Sequence, residues 1–406
     1  MTLTAPDAID IFDPVHLDDP NPLYRQLREQ SPVYRIPGTD FYLVTSWDLV
    51  AEAVNQPEAF SSNLTGVLLR QPDGPHVTFD MDGGGQAVHV LATADDPAHL
   101  THRKLVQPLL AKRIRGLGPT VRELVDELWS RNLRHGRIDW ATGMADQLPL
   151  ALVADIIGLP ESDVPQLLSW AYDSTEMLGG VVDADRFGHS VTAAAELTGY
   201  LYTTFKAAEA NPRDDLLGVL ARACAAGELS DTVAVLVLVQ LVGAGGESTA
   251  GLVANSARIL AADPELQDEL RREPALIPAF IDEALRLESP FRGHHRHVTE
   301  DTVLGGVTLP AGSHLLLMWG AANRDPARFE QPDTLDLDRR SGANNLAFGR
   351  GVHFCVGSAL AKLEATAALT ALLERSSRFT LVDDAPPQWF PSIFVRRHQT
   401  LPLHIS

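Results

Sequence analysis

Apolar residues recur three and four apart through the middle of this chain and alternate in short runs toward its ends. From residue 97 to about 288 the spacing predicts mostly helix. Residues 121–128, 148–157 and 194–205 each carry an apolar face of helical period, punctuated by Pro160, Pro165 and Pro212. The ends read differently. Residues 21–29 predict a short helix after Pro20. Residues 33–36 and 41–44 predict a hairpin turning at Pro37-Gly38, and residues 47–54 a second short helix. Residues 66–85 are rich in Gly, Pro and Asp and predict a long loop, the kind usually kept for function. Beyond Pro290, residues 302–309 and 313–319 predict strands, residues 356–375 a last helix, and residues 379–405 short strands again. With no repeat and no Gly/Ser linker, the expectation is one continuous unit over residues 1–406. It is mainly α, a large helical body with a smaller β-rich part drawn mostly from about 30–65, 300–320 and 379–405.

Composition narrows the function. The chain has 406 residues, 45% of them hydrophobic, enough for a large core. Its formal net charge of -20 repels nucleic acid and anionic membrane, so neither is an expected partner. The first residues carry acids and no basic leader pattern, and the longest apolar run, 233–242 with Gln240 inside it, is too short to span a bilayer. The two cysteines, Cys224 and Cys355, lie far apart and form no CxxC, which argues for a reduced, cytoplasmic setting.

Four patterns carry candidate chemistry. The strongest is Phe348-Gly349-Arg350-Gly351-Val352-His353-Phe354-Cys355-Val356-Gly357, immediately ahead of a predicted helix. Glycines let backbone N–H groups turn toward a neighbour, and a helix N-terminus favours a thiolate. A soft anionic sulfur on such a turn suits an iron with an open axial position. A lone cysteine is more often a small buried thiol, but the ten-residue pattern outweighs that reading. The second pattern is an apolar stretch over about 231–262, roughly 45 Å long as one helix at about 1.5 Å per residue. Its centre reads Gly243-Ala244-Gly245-Gly246-Glu247-Ser248-Thr249, against helix propensity. Either a flat ligand approaches bare backbone there, with polar side chains for protons, or the glycines serve packing. The third is Glu283 and Arg286, which share one helix face at i, i+3. The fourth is a scatter of cationic or imidazole donors, His99, Arg103, Arg296 and His353, that could converge on carboxylates.

Residues 348–357 resemble the haem-binding signature of the cytochrome P450 family at every fixed position. Glu283 and Arg286 resemble that family's Glu-x-x-Arg pair, with Arg339 where a third partner sits, and residues 243–249 resemble its oxygen-activating segment. The order and spacing agree from about Asn21 to the C-terminus. Residues 94–99, 245–250 and 290–298 are further similar to the mycobacterial family 144 branch.

The resemblance implies the cytochrome P450 fold, with the long central helix crossing a haem b (iron protoporphyrin IX). Cys355 would be the iron ligand, and His99, Arg103, Arg296 and His353 would hold the propionates. Ala244, Phe348 and Gly357 would also contact the cofactor, and Glu247 with Ser248 or Thr249 would relay protons to bound dioxygen. It implies a monooxygenase acting on a small, partly hydrophobic organic substrate. No flavin or nicotinamide motif is present, so electrons would come from a ferredoxin and ferredoxin reductase. Arg103, Lys104, Lys112, Arg113, Arg115 and Arg350 are expected to form the basic docking patch. Substrate-lining positions fall in residues 66–91, 167–202, 291–295 and 392–394. The alternative is a haem-binding sensor or ligand-binding protein without turnover, which would need no proton relay. Two departures stand out. Ser248 follows the acid where the family usually has threonine, losing the methyl that fixes a rotamer. Gly246 replaces a common histidine and is expected to leave more room above the iron.

Overall fold

The computed structural model describes residues 9–71, 74–339 and 344–406. Its framework is the helix Asp231–Ala262, capped at its start by the Ser230 side chain, which accepts the Val233 N–H. Helices Gln147–Ile157, Val164–Thr175, Ala184–Ala210, Ile277–Leu287 and Ser358–Glu374 all pack on it. The largest apolar cluster follows these contacts, from Val106 through Leu148, Leu238 and Leu260 to Leu369. The central helix is long and apolar enough to cross a membrane by composition, and half of its most apolar window is buried inside the fold. Its apolar character is that of a helix surrounded by other helices.

The helix runs unbroken through Gly243–Thr249, although three glycines oppose it. The packing reading explains part of the pattern. A Cβ on Gly245 would lie 2.6 Å from Val153 Cγ2 of the neighbouring helix, so only glycine admits that close approach. Gly246 faces Leu150 of the same helix and does not line the cavity described below. The extra room expected above the iron is therefore taken up by packing.

Among the described residues, the largest sheet of the β-rich part has five strands. Val33–Arg35 and Phe41–Val44 form the expected hairpin, and Phe41–Val44 pairs in parallel with His314–Leu317. His314–Leu317 pairs antiparallel with His294–Val298, which carries Phe60–Ser61 on its far edge. Three features differ from expectation. The expected loop over 66–85 contains an antiparallel hairpin, Gly66–Leu69 with Val77–Asp80, because Val67 and Leu68 are fully apolar and buried. Residues 302–309 fold as two strands, Thr302–Leu304 and Val307–Leu309, turning at Gly305-Gly306 with φ of +57° and +79°. Strand Arg137–Asp139, inside the helical body by sequence, joins Pro402–Ile405 and Phe379–Leu381 in a small sheet.

A buried ion-pair network fixes the chain leading into the cysteine loop. Arg286, wholly buried, donates to both Glu283 oxygens at 2.7 and 2.8 Å and to the carbonyls of Asn323 and Thr334. Arg339 adds its Nε at 3.2 Å from Glu283 Oε2. Burial works against ionisation of Glu283, but the two arginines and the Asp336 N–H outweigh it and hold its carboxyl below the usual range.

Candidate active site

The Cys355 loop is a short helical turn, Gly351–His353, followed by the start of helix Ser358–Glu374. Gly349 and Gly351 sit at φ of +67° and +72°, where a side chain would be strained. The loop closes through the Cys355 N–H donating to the Phe348 carbonyl at 3.0 Å. Burial pushes the thiol up from its ordinary range, while the N–H groups of Gly357 and Ser358 and the charge of Arg103 pull it down. The expected helix-terminus effect is present, but desolvation exceeds it until a cation sits on the sulfur.

One cavity of about 1530 Å³, its mouth included, brings the expected residues together. His99, Arg103, Ala244, Ser248, Thr249, Arg296, Phe348, His353, Cys355 and Gly357 all line it, with apolar neighbours such as Leu91, Val153, Leu241 and Leu252. The residues fit a haem. The rings of His99 and His353 lie with centroids 4.0 Å apart and planes inclined by 40°, and His99 Nε2 and His353 Nδ1 are buried with no hydrogen-bond partner among the described residues. Arg103 donates to the Phe354 carbonyl at 2.8 Å and Arg296 to the His295 carbonyl at 2.7 Å, and neither has a carboxylate partner among the described residues. Burial pulls Arg296 down to about 10. His99 Nδ1 donates to Asp96 at 3.1 Å, so the donors left over are those of the two guanidinium groups, which fit anionic oxygens in the cavity.

The central helix presents its two hydroxyls differently. Ser248 Oγ donates to the Ala244 carbonyl one turn back at 2.8 Å, whereas the Thr249 hydroxyl has no partner among the described residues. Glu247 is not in the cavity wall. It is buried behind the helix, accepting from Arg397 Nε at 2.8 Å and from the Thr175 hydroxyl at 3.0 Å. Arg397 lies between the rings of Tyr172 and Phe390, 4.3 and 4.1 Å from their centroids. Tyr172 in turn donates to Asp146 at 2.8 Å, and burial raises Asp146 to about 6 against that hydrogen bond.

Sequence reasoning missed this network. A charged pair, Arg396-Arg397, closing the apolar run 393–395 was the available signal. Of the expected substrate-lining segments, Leu91, Phe291 and His294 reach the cavity. Residues 167–202 and 392–394 do not, and Val153, Ile156 and Gln240 take their place. The expected basic patch is partly neutralised: Lys112 pairs with Asp214 at 2.7 Å and Arg113 with Asp155 at 3.3 Å. Lys104, Arg115 and Arg350 have no ion-pair partner among the described residues, and Leu100, Val352 and Phe354 are exposed nearby in sequence.

A fold of this kind, with a glycine-cradled cysteine facing a cavity under a long helix, defines a haem-thiolate enzyme. The comparisons agree. The family model "Cytochrome P450" matches residues 196–400. The chain is 48% identical to Cytochrome P450 144 of Mycobacterium tuberculosis, over 99% of this chain and 92% of the relative. It is 31% identical to the Steroid C26-monooxygenase of the same organism, over 94% and 92%. Among solved structures, CYP109E1 from Bacillus megaterium in complex with testosterone superposes with a TM-score of 0.85 at 28% identity, covering 97% of this chain and 99% of that one. The chain belongs to the cytochrome P450 family, and is a P450 monooxygenase of the family 144 type.

Proposed function

We propose that the chain, acting as one unit in the cytoplasm, binds haem b and inserts one oxygen atom of dioxygen into a small, partly hydrophobic organic substrate. In this reading Cys355 is the iron's thiolate ligand, and His99, Arg103, Arg296 and His353 hold the propionates. The observation that carries it is the single cavity whose wall contains the cysteine, the two orphaned histidine nitrogens and the hydroxyls of the central helix. Bound haem supplies dioxygen binding and O–O cleavage, which an electron-rich thiolate favours.

The chain's own residues do the rest. The N–H groups of Gly357 and Ser358 steady the sulfur. The apolar wall excludes water. Ser248, its proton committed to Ala244, offers lone pairs to a water, and Thr249 offers a free hydroxyl. Glu247 stands behind them as an ion-paired carboxylate, and to pass a proton toward the cavity it must let go of Arg397 and Thr175 and first take that proton up. Electrons come from a ferredoxin and ferredoxin reductase. Lys104, Arg115 and Arg350, without an ion-pair partner among the described residues, are the docking charges, since Lys112 and Arg113 are answered within the chain. A steroid-like molecule, of the kind named for two of the proteins compared, suits a wall this apolar.

The carbon-monoxide difference spectrum of the reduced protein tests the ligand. The native protein should show the thiolate-type band and Cys355→His should replace it with an imidazole-type band. An imidazole-type band with Cys355 intact overturns the assignment.

A further inference from the structure

Two polar side chains in the cavity wall are held so that their N–H donors are left over. Gln240 is the one polar residue of the apolar run 233–242 and lies one turn before Ala244. Its Oε1 accepts the Ala92 N–H at 2.8 Å. A carboxamide has one acceptor oxygen and one NH2, so the backbone donor, by claiming the oxygen, sets the amide's orientation and leaves the NH2 free. That group has no acceptor among the described residues.

His294 is set in the same manner. Its Nδ1 lies 2.8 Å from the indole nitrogen of Trp319. An indole N–H only donates, so Nδ1 accepts, and the proton of the neutral ring sits on Nε2. The ring is held neutral because burial, then the charges of Arg296, His295 and His353, pull it down to about 3. Its Nε2–H has no acceptor among the described residues, and the residue lines the cavity.

We infer that Gln240 and His294 are specificity-determining residues, and that the cavity selects apolar molecules bearing a hydrogen-bond-acceptor oxygen, such as a ketone. This rests on the proposed function, in which the cavity holds the substrate. A hydrocarbon that covers an unanswered donor strands it away from water, while a carbonyl answers it. One neutral hydrogen bond gained in this way corresponds to about a tenfold preference. The rival acceptor is a haem propionate, because His99, Arg296 and His353 line the same cavity.

The test titrates the ferric holoenzyme with matched pairs, cyclododecanone against cyclododecane and benzophenone against diphenylmethane, following the Soret shift. The ketones should bind about tenfold or more tightly. Gln240→Glu keeps an oxygen for Ala92 but turns the donor into an acceptor, and His294→Phe keeps a ring without a donor. Each should lose part of the preference and the double variant all of it, with hydrocarbon affinity unchanged. No ketone binding, no preference in the native enzyme, or a preference that survives the double variant overturns the inference. Faster haem loss in His294→Phe with an unchanged preference assigns that donor to a propionate and overturns its role here. If either variant fails to fold, nitrogen NMR of the histidine-labelled ferrous carbon-monoxide enzyme decides. An Nε2–H signal that moves with cyclododecanone and not with cyclododecane supports the inference, and one that moves with neither overturns it. The carbon-monoxide spectrum of each sample separates the outcomes: its failure counts against the haem-thiolate reading, and its success with indifferent ketones counts only against this one.

Discussion

Cys355 and Glu247 show how differently two buried side chains can be legible. Cys355 is placed by its own loop: every group that shapes its environment, from Phe348 to Ser358, lies within a few residues of it, except Arg103. Glu247 is placed by Arg397, 150 residues away, and by Thr175. Burial works against the Arg397 charge, but Glu247, Tyr172 and Asp146 outweigh it and raise the guanidinium further. The pair is therefore mutually dependent. Arg397→Met should leave a buried carboxylate uncompensated and cost about 3–5 kcal/mol, whereas a shape-conserving replacement of both partners should cost far less. Chemical denaturation of Arg397→Met and of Arg397→Met/Glu247→Leu measures the difference. Equal losses would show that the pair does not carry the coupling.

At the scale of the element, the central helix reconciles two demands on its glycines. Gly243 meets only Thr175 Cγ2, at 3.5 Å from an added Cβ, which is ordinary contact. Gly245 would meet Val153 Cγ2 at 2.6 Å, on a β-branched side chain with little freedom to move. Gly243→Ala should therefore gain up to about 1 kcal/mol from helix propensity. Gly245→Ala should lose, because overpacking costs about 1–3 kcal/mol and exceeds that gain. Thermal melts of the two variants should move in opposite directions. The sequence pattern marks both glycines equally, since propensity acts on each residue alone and the neighbouring helix is invisible to it.

At the scale of the whole molecule, burial of neutral histidines sets the response to acid. His294, His295 and His398 are each pulled down to about 3 by desolvation, from an ordinary value of 6.5. Between these values the unfolded chain binds the protons and the folded chain refuses them, so this stability is present above 6.5 and lost as pH falls toward 3. Asp146, raised by burial from 3.8 to about 6, acts in the opposite sense over its own window. So does Glu364, which burial alone raises well above 4.5. His102, His297 and His314 are also lowered, chiefly by burial, so the histidines prevail. The denaturation midpoint should drop from pH 7 to pH 5. A midpoint that rises would show the two acids dominating.

By itself the amino-acid sequence determined the helical body, the N-terminal hairpin, the Cys355 loop and the Glu283–Arg286 pair, while the dispersed donors His99, Arg103, Arg296 and His353 were legible only through the family resemblance. Each of the first four rests on short-range periodicity or on residue types whose chemistry is unambiguous at fixed spacing. Only the tertiary structure decided what depends on distant partners. It placed a hairpin in the glycine-rich stretch 66–85, where Val67 and Leu68 found a buried face. It turned Gly246 toward Leu150 and Glu247 toward Arg397, away from the cavity. It set the amide of Gln240 and the tautomer of His294 through Ala92 and Trp319. A hydrogen bond is directional and short, so which partner a side chain meets is settled only when the chain has folded and brought remote residues within reach.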